Sequence, residues 1–198
     1  MTKKATLIAV GFALFLWAIT LVAQDSENKV ALAAPVDRQT QPEKTEKTAS
    51  TANVETCDGG SIELKADEKR ILDLHNDVRE MEGLEPLCVH PALTKSARAH
   101  SKEMIDKDFF RHESYDGESN GARLKRFGYD WYASGENIAR GSGYLSKPEN
   151  RFEAWMRSQG HRKNILDKNF REVGVGAVTG DFKGVGGTTI YTVDFGTR

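Results

Sequence analysis

The spacing of apolar residues changes along the chain, and the change predicts helices first and strands last. The first predicted helix begins near Ala66 and ends at Gly83. Its apolar stripe consists of Ile71, Leu74, Val78 and Met81. The second helix begins at Pro91, a residue favoured in a first helical turn. Its stripe runs through Leu93, Ala97, His100 and Met104, which makes His100 a core histidine rather than a ligand.

Two shorter helices and a hairpin complete this pattern. Residues 120–127 predict a third helix ended by Gly128, and Phe152, Trp155 and Met156 mark the buried face of a fourth. The β-branched runs at 173–178 and 189–195 flank a glycine-rich turn at 181–187, which predicts an antiparallel hairpin. Helices followed by strands indicate an α+β fold rather than a βαβ repeat.

The N-terminal part of the chain has a different character. Lys3 and Lys4 precede an uncharged apolar run at residues 5–23, the pattern of a signal peptide or of an uncleaved signal anchor. Residues 24–57 contain no aromatic residue and are rich in polar residues, so they predict a disordered linker. The folded domain is then expected at residues 58–198, outside the cytoplasm, either secreted or at the cell surface.

Composition narrows the function. The chain has 198 residues, 38% hydrophobic and 29% charged, which suits one domain with appendages. The net charge of −1 lacks the basic surplus with which proteins neutralise nucleic-acid phosphates. We therefore expect no nucleic-acid partner. The chain is also expected to be a monomer, and to contact a membrane only through an uncleaved N-terminal segment.

The two cysteines, Cys57 and Cys88, lie in a chain expected to be exported, where disulfides are stable. A bridge between them would close a loop of about 30 residues and contribute about 3–4 kcal/mol in the loop-entropy model. Two independent free thiols are the alternative. A catalytic pair of Cys88 with His90 has no support, because nothing near Cys88 marks it as activated.

Three segments carry the candidate chemistry. Residues 158–166 follow the Trp155 helix and include His161, while two earlier turn-rich segments contain His112 and Glu136. Two imidazoles and a carboxylate are acceptable ligands for Zn²⁺ or another divalent metal with an open position. Asn137 and Ser158 are candidates to orient the imidazoles.

Other interpretations of the same residues remain open. Glu136 and His161 have side chains suited to proton transfer near neutral pH. A triad of Ser158, His161 and Asp194 can also be written, although serine and histidine three apart at a helix end are common for structural reasons. A purely structural interpretation makes Glu136 and Asn137 partners of backbone groups in a turn. Neither H-E-x-x-H nor G-x-S-x-G is present.

An ordered set of motifs across residues 70–196 resembles the CAP superfamily of cysteine-rich secretory, venom-allergen and plant pathogenesis-related proteins, in its bacterial form. The motifs are Gly83-Leu84-Glu85-Pro86-Leu87, Ala99-His100-Ser101, Phe110-Arg111-His112, Gly135-Glu136-Asn137-Ile138-Ala139, Gly160-His161-Arg162, Asn164-Ile165-Leu166 and Asp194-Phe195-Gly196.

The resemblance implies an α-β-α sandwich with a central antiparallel sheet. It also implies a cleft with two histidines and two acids, in which His112, Glu136 and His161 occupy three positions. Ser158 occupies the fourth, where the family usually has an acid. The resemblance favours a non-catalytic module that binds a lipid or a cell-envelope component, with a divalent metal as an option. A metal-assisted hydrolase of peptide or cell-wall material is the alternative.

Overall fold

A four-stranded sheet with helices on both faces forms the centre of the computed structural model, which describes residues 51–198. The strands are β1 (Thr51–Glu55), β2 (Ser61–Lys65), β3 (Cys88–Val89), β4 (Ala133–Ser142), β5 (Glu172–Phe182) and β6 (Val185–Thr197). The helices are α1 (Ala66–Met81), α2 (Pro91–Asp106), α3 (Asn120–Arg126), α4 (Pro148–Arg157) and α5 (Gln159–Ile165), and a 3₁₀ turn covers Gly143–Ser146. The sheet has the order β3-β5-β6-β4, and only β3 pairs in parallel. The predicted α+β sandwich is confirmed.

The hairpin of β5 and β6 follows the predicted pairing, with Val175 opposite Val193. Its turn is shorter than the predicted 181–187, because Phe182 already pairs with Val185. Lys183 and Gly184, between them, both have positive φ, 52° and 77°. Two consecutive positive φ angles define the tight turn that suits the twist of paired strands.

The alternation of valine and glycine in β5 separates the two faces of the sheet. Val173 and Val175 belong to the larger core cluster, which also contains Trp155 of α4. Gly174 and Gly176 face α2, where an added Cβ would overlap the backbone of that helix. Glycine is needed here because the helix backbone lies directly on the strand.

A hairpin of β1 and β2 precedes α1, and this corrects the predicted extent of the linker. Residues 51–55 pair with 61–65, and Val54 packs against the core opposite Ile62. The absence of aromatic residues predicted disorder, but the alternating small apolar residues suffice because the core covers them. The signal segment at 1–23 and the linker up to residue 50 lie outside the described residues. Within residues 51–198, none of the helices has the length and apolar character needed to span a membrane.

The predicted bridge between Cys57 and Cys88 is present, with 5.2 Å between the two Cα atoms. It joins the β1–β2 hairpin to β3. The backbone N–H of Cys57 also donates to the carbonyl of Val89 at 2.9 Å. The hairpin is therefore held to the sheet both covalently and by hydrogen bonds.

Two segments predicted as turns are regular elements. Residues 135–139 lie inside β4, and most of the segment 158–166 is α5 (Gln159–Ile165) rather than a loop after α4. Gly135 contributed to the prediction of a turn around Glu136. Gly135 instead gives room for Phe170, since an added Cβ would lie 2.9 Å from its ring.

The outer edge of β4 is covered by side chains of α4 and α5. Three of its backbone carbonyls, at alternate positions, accept hydrogen bonds from those helices. The bonds are Asn164 Nδ2 to Glu136 O at 3.2 Å, Trp155 Nε1 to Ile138 O at 3.0 Å, and Arg151 Nη1 to Arg140 O at 2.8 Å. Covering an edge strand satisfies its backbone groups and blocks pairing with another chain. This contact also holds α5 beside Glu136.

The buried stripe of α1 differs from the prediction. Ile71 and Val78 are buried, but Met81 is 79% exposed, and His75 and Arg79 are completely buried. Arg79 donates to the backbone carbonyls of Glu85, Ile165, Asp167 and Phe170 at distances of 2.9, 2.9, 3.0 and 3.2 Å. Arg79 occupies a core position because its guanidinium bonds to the loop after α1 and to the segment that joins α5 to β5.

Arg79→Lys should therefore lower the free energy of unfolding by about 2–4 kcal/mol, because a single ammonium group cannot replace the bonds of the guanidinium to four separate carbonyls. Urea unfolding followed by circular dichroism measures the change. Arg70→Lys is the matched control on the same helix. Arg70 is exposed and, within residues 51–198, its side chain bonds to Glu149 alone, so its change should stay within about 0.5 kcal/mol. Equal losses in both variants would contradict this account.

Candidate functional site

Glu136 is the buried centre of the candidate site. It lies on β4, and its side chain is 3% exposed. One carboxylate oxygen, Oε1, accepts a hydrogen bond from His112 Nδ1 at 2.7 Å. The other, Oε2, binds Arg123 in an ion pair and accepts from Asn120 Nδ2 at 3.3 Å. Both oxygens of the carboxylate are thus engaged.

Arg123 connects this carboxylate to the loop that carries His112. Its side chain is 1% exposed, and its Nη1 donates to His112 O at 3.1 Å and to Ser114 Oγ at 3.2 Å. Arg123 and Asn120 reach Glu136 together because they are three residues apart on one face of α3. Ser119 starts that helix by accepting a hydrogen bond from the N–H of Ala122.

His112 is half exposed, and its contact with Glu136 determines its charge. The hydrogen bond and the charge of Glu136 raise the pKa of His112 above its usual 6.5, although burial opposes the shift. Since Nδ1 is used for Glu136, Nε2 is the ring nitrogen that remains for a ligand.

His161 lies on α5 and has the opposite protonation preference. Burial is the main cause that lowers the pKa of His161, and the positive charge of His112 adds to it. Its Nδ1 is buried without a hydrogen-bond partner among the described residues. The two imidazoles therefore differ in their protonation preference, with the charged form favoured at His112 and the neutral form at His161. The partners of Glu136 are His112, Arg123 and Asn120, and the predicted proton-transfer pair of Glu136 with His161 is not formed.

Asn137 and Ser158 act on the backbone rather than on an imidazole ring. Asn137 is fully buried, donates to the carbonyl of His161 at 3.1 Å, and accepts from Asn164 Nδ2 at 2.9 Å. Ser158 joins α4 to α5, and its carbonyl accepts the N–H of Arg162 at 2.8 Å. Asn137 thus fixes the position of α5, and Ser158 starts it.

Asp194 lies directly opposite Glu136 on β6 and is completely buried. Asn120 Nδ2 bridges the two acids, with 2.8 Å to Asp194 Oδ1. Burial and the charge of Glu136 raise the pKa of Asp194 well above its usual value. Asp194 consequently belongs to the buried Glu136 network and not to a triad with Ser158 and His161.

The amino-acid sequence that forms this fold and site also matches a known protein family. The sequence profile of the cysteine-rich secretory protein family, CAP, matches residues 72–195, which is more than half of the chain. The chain belongs to the CAP family.

Bacterial CAP proteins are among its relatives. It is 42% identical over 140 residues to the uncharacterized protein YkwD of Bacillus subtilis strain 168, covering 71% of this chain and 52% of YkwD. A solved extracellular protein with an SCP domain from Bacillus anthracis is 31% identical, with a TM-score of 0.57, over 67% of this chain and 40% of that one. An outer surface protein of Borrelia burgdorferi shares the fold at 17% identity, with a TM-score of 0.58, over 75% of this chain and 99% of that protein. The chain spans about half the length of YkwD.

The predicted metal ligands of the CAP cleft do not gather around one point. Among residues 51–198, one group of three potential ligands has its ligand atoms within 4.8 Å of one another, namely Cys57, Cys88 and Glu172. Its sulfurs are joined in the disulfide, so neither is a thiolate. His112, Glu136 and His161 form no such group, and the oxygens of Glu136 are occupied by Arg123, Asn120 and His112. The residues present therefore do not fit a metal ion bound by all three.

Sequence reasoning missed Arg123 and Asn120, the residues that neutralise and hold Glu136. A signal was present, because a buried carboxylate requires a partner of opposite charge or a full set of donors. Asn120 and Arg123 lie three residues apart on a predicted helix. Asn120 is a hydrogen-bond donor, and Arg123 carries the opposite charge. Their distance from Glu136 along the chain concealed the contact.

The contrast between the two histidines is measurable by NMR titration of their ring protons in the presence of a chelator. His112 should titrate above 6.5 and His161 below it. Because the pKa of His112 is raised by folding, its pair with Glu136 stabilises the fold below pH 6.5 and loses this effect as the pH rises through the folded value. Glu136→Gln should return the pKa of His112 toward 6.5. Glu113→Gln, a neighbouring acid with a smaller influence, should leave most of the shift in place.

Asp194→Asn tests the second acid. A carboxyl whose pKa is raised in the fold destabilises it progressively as the pH rises above about 4, the unfolded value. Asparagine keeps the contact with Asn120 without this penalty, so the variant should gain stability relative to wild type between about pH 4.5 and 7.5 in urea unfolding. Asp106→Asn, at an exposed position, should differ from wild type by no more than about 0.5 kcal/mol at both pH values. A loss for Asp194→Asn that grows with pH would show that the charged form is required.

Proposed function

We propose that this CAP domain is an extracytoplasmic, non-catalytic module that binds a lipid or another cell-envelope component in the cleft between His112 and His161. The N-terminal pattern of a secretory signal or anchor supports the location. The related Bacillus anthracis protein is described as extracellular and supports it independently.

The occupied carboxylate of Glu136 is the observation that favours binding over catalysis. A general base needs a lone pair directed at the proton that it removes. Glu136 directs its oxygens at Arg123, Asn120 and His112 inside the protein. Releasing it would leave the buried Arg123 unpaired, which costs about 3–5 kcal/mol. Glu136 therefore holds the loop of His112 in place and favours the charged form of that imidazole.

The surface around His112 suits an amphipathic ligand. The same loop exposes Phe110 and Tyr115, with 37% and 55% of their surfaces accessible. An imidazolium beside exposed aromatic rings offers charge to an acidic head group and apolar contact to the rest of the molecule. The guanidinium of Arg123 already neutralises Glu136, so the cleft does not depend on a metal ion for charge balance.

The experiment measures binding and turnover with the same full-length protein. Co-sedimentation with phosphatidylglycerol vesicles and with purified cell-wall sacculi reports binding, and peptidase and wall-lytic assays with and without chelator report turnover. His112→Ala should weaken binding about tenfold by removing a charged contact. His161→Ala should also weaken it, whereas Lys102→Ala, at an exposed position on α2, should not.

The alternative hydrolase makes a different prediction. Turnover that disappears with chelator and with His161→Ala would establish metal-assisted hydrolysis and overturn this proposal. Failure of wild type to bind either vesicles or sacculi would also contradict it.

A further inference from the structure

A cavity of about 410 Å³ opens at the end of the sheet where β4 begins and β6 ends. It is lined by Tyr132, Ala133, Asn169, Arg171 and Thr197. Its volume falls in the range of small-molecule sites, about 300–1,000 Å³. Ala133 is three residues before Glu136, which is about 10 Å along a strand, and the cavity shares no residue with the histidine cleft.

Tyr132 offers an aromatic surface to this cavity. It is 87% exposed, more than Tyr144 at 70% or Tyr115 at 55%. Its backbone N–H donates to Thr197 O at 2.7 Å, and the indole of the adjacent Trp131 donates to Gly121 O at 2.9 Å. The ring therefore stands on a fixed backbone, which makes it a ready stacking surface for a ligand.

Arg171 makes the cavity attractive to an anion. Its Nη1 donates to Phe170 O at 3.1 Å and to Lys168 O, which leaves Nη2 for a ligand. The ion pairs found among residues 51–198 do not include Arg171. The buried Arg79 donates to the same carbonyl of Phe170 at 3.2 Å, so two guanidinium groups meet at one oxygen. The cavity therefore has one exposed guanidinium, that of Arg171, while the neighbouring Asp167 accepts the backbone N–H of Asn169.

Asn169 and Thr197 add uncharged hydrogen-bonding groups. The backbone N–H of Asn169 donates to Asp167 Oδ1 at 2.8 Å, and its carbonyl accepts from the Thr197 hydroxyl. The side-chain amide of Asn169, at an exposed position, remains for a ligand. An amide donates and accepts, as a ring bearing several hydroxyl groups requires.

We propose that this cavity binds an acidic saccharide. The sugar ring stacks on Tyr132, its hydroxyl groups bond to Asn169, and its carboxylate binds Nη2 of Arg171. A single aromatic ring with one amide and one guanidinium matches a sugar acid better than a nucleic acid, for which the chain lacks a basic surplus. The histidine cleft plays no part in this inference, and the two sites are told apart by variants: binding to sacculi that is lost in Tyr132→Ala and kept in His112→Ala belongs to this cavity.

Isothermal titration calorimetry of the full chain tests this proposal with three probes. The probes are soluble glycan strands of alternating N-acetylglucosamine and N-acetylmuramic acid, which carry carboxylates, neutral N-acetylglucosamine oligosaccharides of equal length, and free N-acetylmuramic acid. The acidic strand should bind about tenfold more tightly than the neutral one, the effect of one charge-assisted contact. If free N-acetylmuramic acid binds as tightly as the strand, the site recognises a single sugar residue. If it binds more weakly, the site recognises the polymer. Either result supports the site.

Variants separate the two contacts. Tyr132→Ala should weaken binding of both the acidic and the neutral strand about tenfold, the range of one base–aromatic or ring contact. Arg171→Gln should remove the preference for the acidic strand while leaving the neutral one unchanged. Tyr144→Ala and Arg126→Gln, an exposed tyrosine and an exposed arginine elsewhere, are the controls and should match wild type.

Several results would overturn the proposal. Wild type could bind none of the probes at millimolar concentration, or bind the neutral and acidic strands equally. Binding that survives Tyr132→Ala but is lost in His112→Ala would place the saccharide in the histidine cleft instead. Thermal unfolding of each variant, expected to match wild type because both positions are exposed, shows that a loss of binding is not a loss of folding.

Discussion

The covered edge of β4 is the constraint on which the rest of this domain depends. An exposed edge strand would leave a row of backbone groups open to solvent and to other chains. Here an amide, an indole and a guanidinium from α4 and α5 reach the carbonyls of residues 136, 138 and 140. Because the same contacts fix α5 beside β4, protection of the edge and placement of His161 have one cause. The residues that look most like a functional motif therefore have a structural role first.

The buried charges on the other side of β4 follow from the register of the sheet. Antiparallel pairing puts Glu136 opposite Asp194, so two acids share one buried neighbourhood. One guanidinium, that of Arg123, cannot neutralise both at close range, and the acid with less access to donors is the one whose pKa rises. Arg123, Asn120 and His112 instead surround the carboxylate of Glu136. The raised pKa of His112 thus follows from the position of Glu136 on β4.

The helical spacing and the strand-like alternation of apolar residues predicted the regular helices and strands of the fold. The hairpin of β5 and β6 and the first three helices were found because each buries one regular face. The same reasoning placed residues 135–139 in a turn, since glycines that make room for Phe170 look identical to glycines that bend the chain. It also chose Met81 over Arg79 for the core, because four carbonyl partners of a buried arginine come from loops 6 to 91 residues away. Both histidines and Glu136 were identified from their residue types and again through the family resemblance, but Arg123 and Asn120 become visible only once α3 is placed against β4.

The position of Glu136 at the junction of fold and cleft limits what its loss can show. Removing its carboxylate would leave Arg123 buried and unpaired, release the loop of His112 and lower the charge of that imidazole at once. Such a variant would lose a catalytic activity, a binding activity or the fold itself by the same physical route. The imidazoles are different. The contact of His112 with Glu136 uses Nδ1 and leaves Nε2. Asn137 holds His161 through its backbone carbonyl and does not use its ring. Function in this cleft is therefore decided at the two histidines, where chemistry and architecture can be changed separately.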